Sequence, residues 1–158
     1  MGTARLRLSV CATLVAVGSA SACGSDANDA SGSAGESNGS TVDATSEDIS
    51  GHVKEWEVEV DASMAKAGEV TFTIENQGTI EHEFLVVKTD IAPGAIPVDG
   101  DHFPEDASGI EVIDEIGEFD EGTVERLVVT LEPGAYQLVC NLPDHYENGM
   151  HTAFEVIA

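Results

Sequence analysis

Basic residues are the scarcest feature of this chain: six Lys and Arg stand against thirty Asp and Glu in 158 residues, a formal net charge of -24. A surface of that sign repels nucleic acid and other polyanions, which excludes them as partners. Long apolar runs are missing too. The stretch from Leu8 to Gly18 falls short of the roughly 20 residues that a bilayer-spanning helix needs. Cysteine is rare, and of Cys11, Cys23 and Cys140 only the last lies where the pattern is that of a folded domain. A lone thiol in an exported domain makes no internal disulfide, so its presence asks for another explanation. There is also no nucleophile paired with a base, no pair of catalytic carboxylates and no Gly-rich phosphate loop, so an enzyme is not expected.

What is present divides into three parts. Residues 1–22 read as a secretory signal: Arg5 and Arg7, the apolar stretch, then the small residues Ser19 to Ala22. Ala20-Ser21-Ala22-Cys23 resembles the lipobox of bacterial lipoproteins, in which the Cys becomes the lipidated N-terminus. It also satisfies the A-x-A rule for ordinary cleavage, but lipidation of Cys23 is the expected fate, since several acyl chains on one Cys anchor stably where one does not. The protein is therefore expected on the outer face of the cell membrane. Residues 23–50 are Ser, Gly, Ala, Asn, Asp and Thr with almost no apolar side chains, which gives a disordered, flexible tether. Residues 51–158 suffice for one ordinary domain. The acids are spread along the whole chain, which favours adaptation to a salty environment over steering of a cationic partner.

The third part reads as strands. His52 to Asp61 alternates as one strand, with Trp56, Val58 and Val60 facing one way; Val70, Phe72 and Ile74 repeat the pattern. Ile80 to Val87 reads as a buried strand in which His82 shares parity with Phe84 and Val86. Thr123 to Leu131 and Gly134 to Cys140 are expected to pair across Glu132-Pro133-Gly134. In the last strand Phe154 and Val156 share parity with Met150, which turns Met150 inward and His151 outward. Between Asp90 and Gly122 lies a long insert whose apolar positions Ile110, Val112, Ile113 and Ile116 fit either a strand or one or two helical turns. His102 within it, beside Asp101, Glu105 and Asp106, reads as a solvated histidine rather than an accessory metal site. Sheet-forming segments with Gly and Pro turns give an all-β, Greek-key sandwich or barrel.

Chemistry concentrates in Cys140-Asn-Leu-Pro-Asp-His145-Tyr-Glu-Asn-Gly-Met150, a thiol, an imidazole and a thioether at C-x4-H-x4-M spacing. A soft thiolate with an imidazole suits copper or zinc, and a thioether shifts the balance to copper. A trigonal site of two imidazoles and one thiolate needs a second histidine, and His82, on a strand, is the best of the five available.

These residues resemble those of a cupredoxin, a small blue-copper protein of the plastocyanin and azurin type. The chain is most similar to bacterial and archaeal members with the longer C-x4-H-x4-M loop. The resemblance covers 51–158 and includes Ala67 to Asn76 and Leu131 to Tyr136. It departs at two positions: relatives usually carry Gly where Asp144 stands, and often Asn where Glu83 stands. The resemblance implies one copper ion held by His82, Cys140, His145 and Met150, with Met150 as weak axial ligand and His145 showing an imidazole edge to a partner. It implies one-electron carriage by a monomer between redox protein partners. The alternative is a copper-binding or copper-buffering lipoprotein without rapid electron exchange.

Overall fold

The computed structural model describes residues 47–158. The expected signal segment, the lipid-bearing Cys23 and most of the tether lie outside the described residues.

Nine strands follow one another: β1 (Glu47–Lys54), β2 (Glu57–Val60), β3 (Met64–Lys66), β4 (Gly68–Asn76), β5 (His82–Lys88), β6 (Glu111–Phe119), β7 (Val124–Leu131), β8 (Gly134–Val139) and β9 (His151–Ile157). No helix occurs among the described residues. The strands form two mixed sheets, ordered β2-β1-β4-β7 and β3-β9-β8-β5-β6. β1 runs parallel to β4, and β3 parallel to β9; the other pairs are antiparallel.

Between the sheets lies the main core, where period-2 alternation turns Val70, Phe72 and Ile74 of β4 and Leu127, Val129 and Leu131 of β7 inward. Phe72 packs on Phe84 and Phe154 with ring centroids 5.4 and 5.6 Å apart, tying the two sheets together. Burying a side chain of this size contributes about 2 to 3 kcal/mol.

A second, smaller core explains why β5 is apolar on both faces. Phe84 and Val86 point into the main core, while Leu85 and Val87 point to the opposite face of the second sheet. There Ile96 and Phe103 of the insert cover them, with Val139 and Tyr146. The insert is thus a packed flap over the sheet, and its Ile110 to Ile116 segment is the strand β6, paired with β5 rather than helical.

Four expectations are corrected. Glu47 to Ser50, placed in the tether, are strand, because β1 pairs with β4 from Glu47↔Val70 onwards. His52 to Asp61 is not one strand but the hairpin β1-β2, reversing at Glu55 and Trp56 so that Lys54 pairs with Glu57. β7 and β8 do not pair: β7 joins β4 in one sheet, while β8 lies between β5 and β9 in the other. Their burial gives the reason. β7 is buried on one face only, whereas every residue from Tyr136 to Val139 is buried and needs cover on both sides. Finally, His151 points away from the main core but is half-buried, since its ring packs on Tyr146 at 5.1 Å and lies against Gly94 of the insert.

Candidate metal centre

The site lies at one end of the sandwich, where β5 begins and β8 ends. His82 is the first residue of β5 and Cys140 follows β8, and these neighbouring antiparallel strands bring the two side chains together. The loop from Cys140 to Met150 is closed at its neck by the Cys140 N–H donating to the Met150 carbonyl at 3.0 Å. Within it, the His145 N–H donates to the Leu142 carbonyl (2.9 Å) and the Met150 N–H to the His145 carbonyl (3.1 Å). These bonds leave His145 little freedom. Asp144, at the position where a glycine was noted as usual, adopts φ +66°, in the left-handed region that Gly, Asn and Asp tolerate best.

Three donor atoms converge. Nδ1 of His82 and Nδ1 of His145 are 3.2 Å apart; Sγ of Cys140 is 3.3 Å from the His145 nitrogen and 3.9 Å from that of His82. Three donors about 2.0 to 2.3 Å from a common centre in a trigonal plane would be separated by about 3.5 to 3.8 Å. The observed triangle brackets that range. Met150 completes the donor set; it is fully buried in the same core cluster as Cys140. The constellation expected from the sequence is thus brought together as a cupredoxin-like set of donors: His82, Cys140, His145 and Met150.

The surroundings suit a metal. His82 and Cys140 are both 0% exposed. Burial, and for His82 the neighbouring His145, hold its imidazole below the ordinary histidine value; burial does the same to His145. Both rings are therefore neutral at pH 7, as ligands must be. Burial pushes the Cys140 thiol up to about 11, so the thiolate forms only with a cation to compensate it. Two imidazoles, a buried thiol and a thioether match the donor set that favours copper, whereas zinc takes thioethers poorly.

His145 is 7% exposed, and Trp56 stands against its ring edge-on, ring centroids 5.4 Å apart at 89°, a contact the sequence did not announce. Trp56, itself 47% exposed, reaches this position from the β1-β2 turn, where it takes φ +70°. The sequence carries no Gly, Asn or Pro at that turn, so nothing marked it.

Glu83 also proves part of the site. Its backbone N–H approaches Cys140 Sγ at 3.5 Å, and its Oε1 accepts the Asn141 N–H at 2.7 Å, fastening β5 to the start of the ligand loop. Burial first, and nearby Glu115, Glu105 and Glu118 second, raise its carboxyl to about 7. Asn141 continues the fastening into the insert through Phe103 N–H to Oδ1 and Nδ2 to the Phe103 carbonyl, each 3.0 Å. His102, by contrast, is exposed and bonded to the Asp101 carboxylate at 2.7 Å, and is not one of the converging donors.

Solved structures share this architecture. Reduced auracyanin from the photosynthetic bacterium Roseiflexus castenholzii superposes with a TM-score of 0.50 at 24% identity, over 72% of this chain and 98% of that one. Auracyanin A, a "blue" copper protein of the green thermophilic bacterium Chloroflexus aurantiacus, gives 0.50 at 19% over 70% and 98%. Reduced rusticyanin gives 0.53 at 16% over 70% and 79%. The fold is that of the cupredoxins. The two-sheet body thus agrees with the fold that the resemblance in the sequence implied. No family model matches the chain, and no curated protein does.

Proposed function

We propose that this cupredoxin-fold protein carries single electrons through one copper ion, which His82, Cys140, His145 and Met150 would hold. The observation that carries the reading is the triangle of two Nδ1 atoms and one Sγ in a water-poor end of the sandwich, with Met150 buried alongside. Bound copper supplies a Cu(I)/Cu(II) couple. The chain supplies rigidity: His82 sits on a strand paired on both sides, the Cys140–Met150 neck is hydrogen-bonded, and Glu83 and Asn141 pin the loop. A frame of this kind resists rearrangement on electron transfer, which keeps the reorganisation cost low. Burial of His82 and Cys140 excludes water, and the Trp56 face is where a partner approaches most closely.

The order of an Arg-bearing apolar leader, a polar tether and a folded domain supports an exported protein, held at the outer face of the cell membrane by lipid on Cys23 and serving as a monomer for redox protein partners. Nothing in the donor set calls for substrate chemistry, so no catalytic role is assigned. The second reading is copper buffering by the same residues; a buried thiol, two imidazoles and a thioether form a soft donor set that also suits Cu(I).

Visible absorption during redox cycling separates the two. Electron carriage predicts an intense blue band in the copper-loaded, oxidised domain that bleaches and returns over repeated reduction and oxidation. A colourless protein that binds Cu(I) and resists oxidation would support buffering and refute electron carriage.

A further inference from the structure

Nδ1 of His82 faces Cys140 and His145, but the other ring nitrogen, Nε2, is buried without a hydrogen-bond partner. Its surroundings point to one. A Cβ placed on Gly78 would lie 2.7 Å from this nitrogen, 2.8 Å from Oε2 of Glu55 and 3.1 Å from Oδ1 of Asn76. The imidazole nitrogen and the carboxylate oxygen are therefore no more than about 5.5 Å apart across the bare face of Gly78. One water molecule spans such a distance, and three polar atoms suffice to hold it; a small rotation of Glu55 makes the contact direct.

Glu55 is well placed to be the constant member of this pair. Its Oε1 accepts both the Thr79 N–H at 2.7 Å and the Thr79 hydroxyl at 2.6 Å, which fixes the carboxylate while Oε2 faces the histidine. Those same bonds lower its pKa to about 2, so the group stays anionic across the working range. A carboxylate only accepts hydrogen bonds, and a neutral imidazole has one N–H. An acceptor at Nε2 therefore places the proton there and leaves the lone pair on Nδ1.

We propose that Glu55 is a positioning residue for His82, fixing its Nε2–H tautomer directly or through one water so that Nδ1 presents its lone pair to the metal centre. The purpose of this device rests on the reading of His82 as a metal ligand; the tautomer itself does not. Glu55 and Trp56 are consecutive, so the β1-β2 turn acts on both imidazoles, Glu55 behind His82 and Trp56 against His145. Gly78 leaves the space that Glu55 needs, and any side chain there would close it.

The test is long-range 15N–1H correlation NMR of the metal-free domain near pH 8, which reports the tautomer of each histidine. In the wild type His82 is expected as Nε2–H. Glu55→Met should lower the Nε2–H to Nδ1–H ratio roughly tenfold, the scale of a charge-assisted hydrogen bond. Glu55→Gln, which keeps an acceptor oxygen, should restore part of it, and Thr79→Val, which removes one of the two bonds that fix the carboxylate but keeps the carboxylate itself, should lower the ratio less than Glu55→Met does. A wild-type His82 with its proton on Nδ1, or a ratio indifferent to Glu55→Met, would overturn the proposal. Titration with Cu(II) gives the separate arm. Affinity reduced 10- to 100-fold in Glu55→Met supports the positioning role. A domain that takes up no copper, yet keeps the Nε2–H tautomer under the control of Glu55, would refute electron carriage and not the tautomer assignment.

Discussion

Glu83 offers a prediction whose sign opposes the usual behaviour of a carboxylate. Its pKa in the fold is raised to about 7, mainly by burial, from an ordinary value of 4.5. Between those two values the folded chain binds more protons than the unfolded chain, so stability falls as pH rises through the window. Below about 4.5 the group costs nothing; above about 7 the full penalty applies. A shift of that size would amount to about 3 kcal/mol if wholly shielded, and residual solvent access reduces it to roughly 1 to 2 kcal/mol. Because the whole acidic surface also weakens the fold with rising pH, the contrast to measure is wild type against Glu83→Gln, which keeps an oxygen for the Asn141 N–H. Urea melts of the metal-free, reduced domain from pH 4 to 8 supply it. The two proteins should agree at pH 4, and the variant should be the more stable by roughly 1 to 2 kcal/mol at pH 8. Parallel curves across the range would refute the burial argument.

Three further outcomes are expected. Trp56→Ala should uncover His145, lower stability by about 1 kcal/mol for the lost edge-on contact, and quicken solvent exchange at the His145 ring; unchanged exchange would mean that Trp56 shields nothing. Asp144→Gly should be tolerated, since φ is +66°, whereas Asp144→Val should cost about 1 to 2 kcal/mol in thermal or urea melts. Met150→Leu should keep a blue copper site with an altered reduction potential, and complete loss of copper would make Met150 more than a weak axial ligand.

The residues of the site were legible because each signal was local. Cys140, His145 and Met150 sit in one loop, and His82 sits on a strand whose apolar run marks it as buried. Alternation likewise exposed the inward face of β4. The pairing of strands was not local, and there the pattern misled. Glu132-Pro133-Gly134 looks like a hairpin turn, but it joins strands of different sheets, a choice set by which faces of β7 and β8 need cover. The β1-β2 turn was invisible because Glu55 and Trp56 are not turn-forming residues, and so the contact of Trp56 with His145 was missed. Glu83 stood out as a departure from the usual residue, yet only the folded chain reveals its bond to Asn141. The apolar face formed by Leu85 and Val87 was visible, but its cover, Ile96 and Phe103, lies in a segment too rich in Pro, Gly and acids to announce a core.

X-ray absorption at the copper edge of the loaded domain tests the ligand assignment most directly. One sulfur and two nitrogen scatterers at about 2.0 to 2.3 Å are expected, with the sulfur lost in Cys140→Ser. A shell of nitrogen and oxygen alone in the wild type, or a sulfur that survives Cys140→Ser at the same distance, would contradict it.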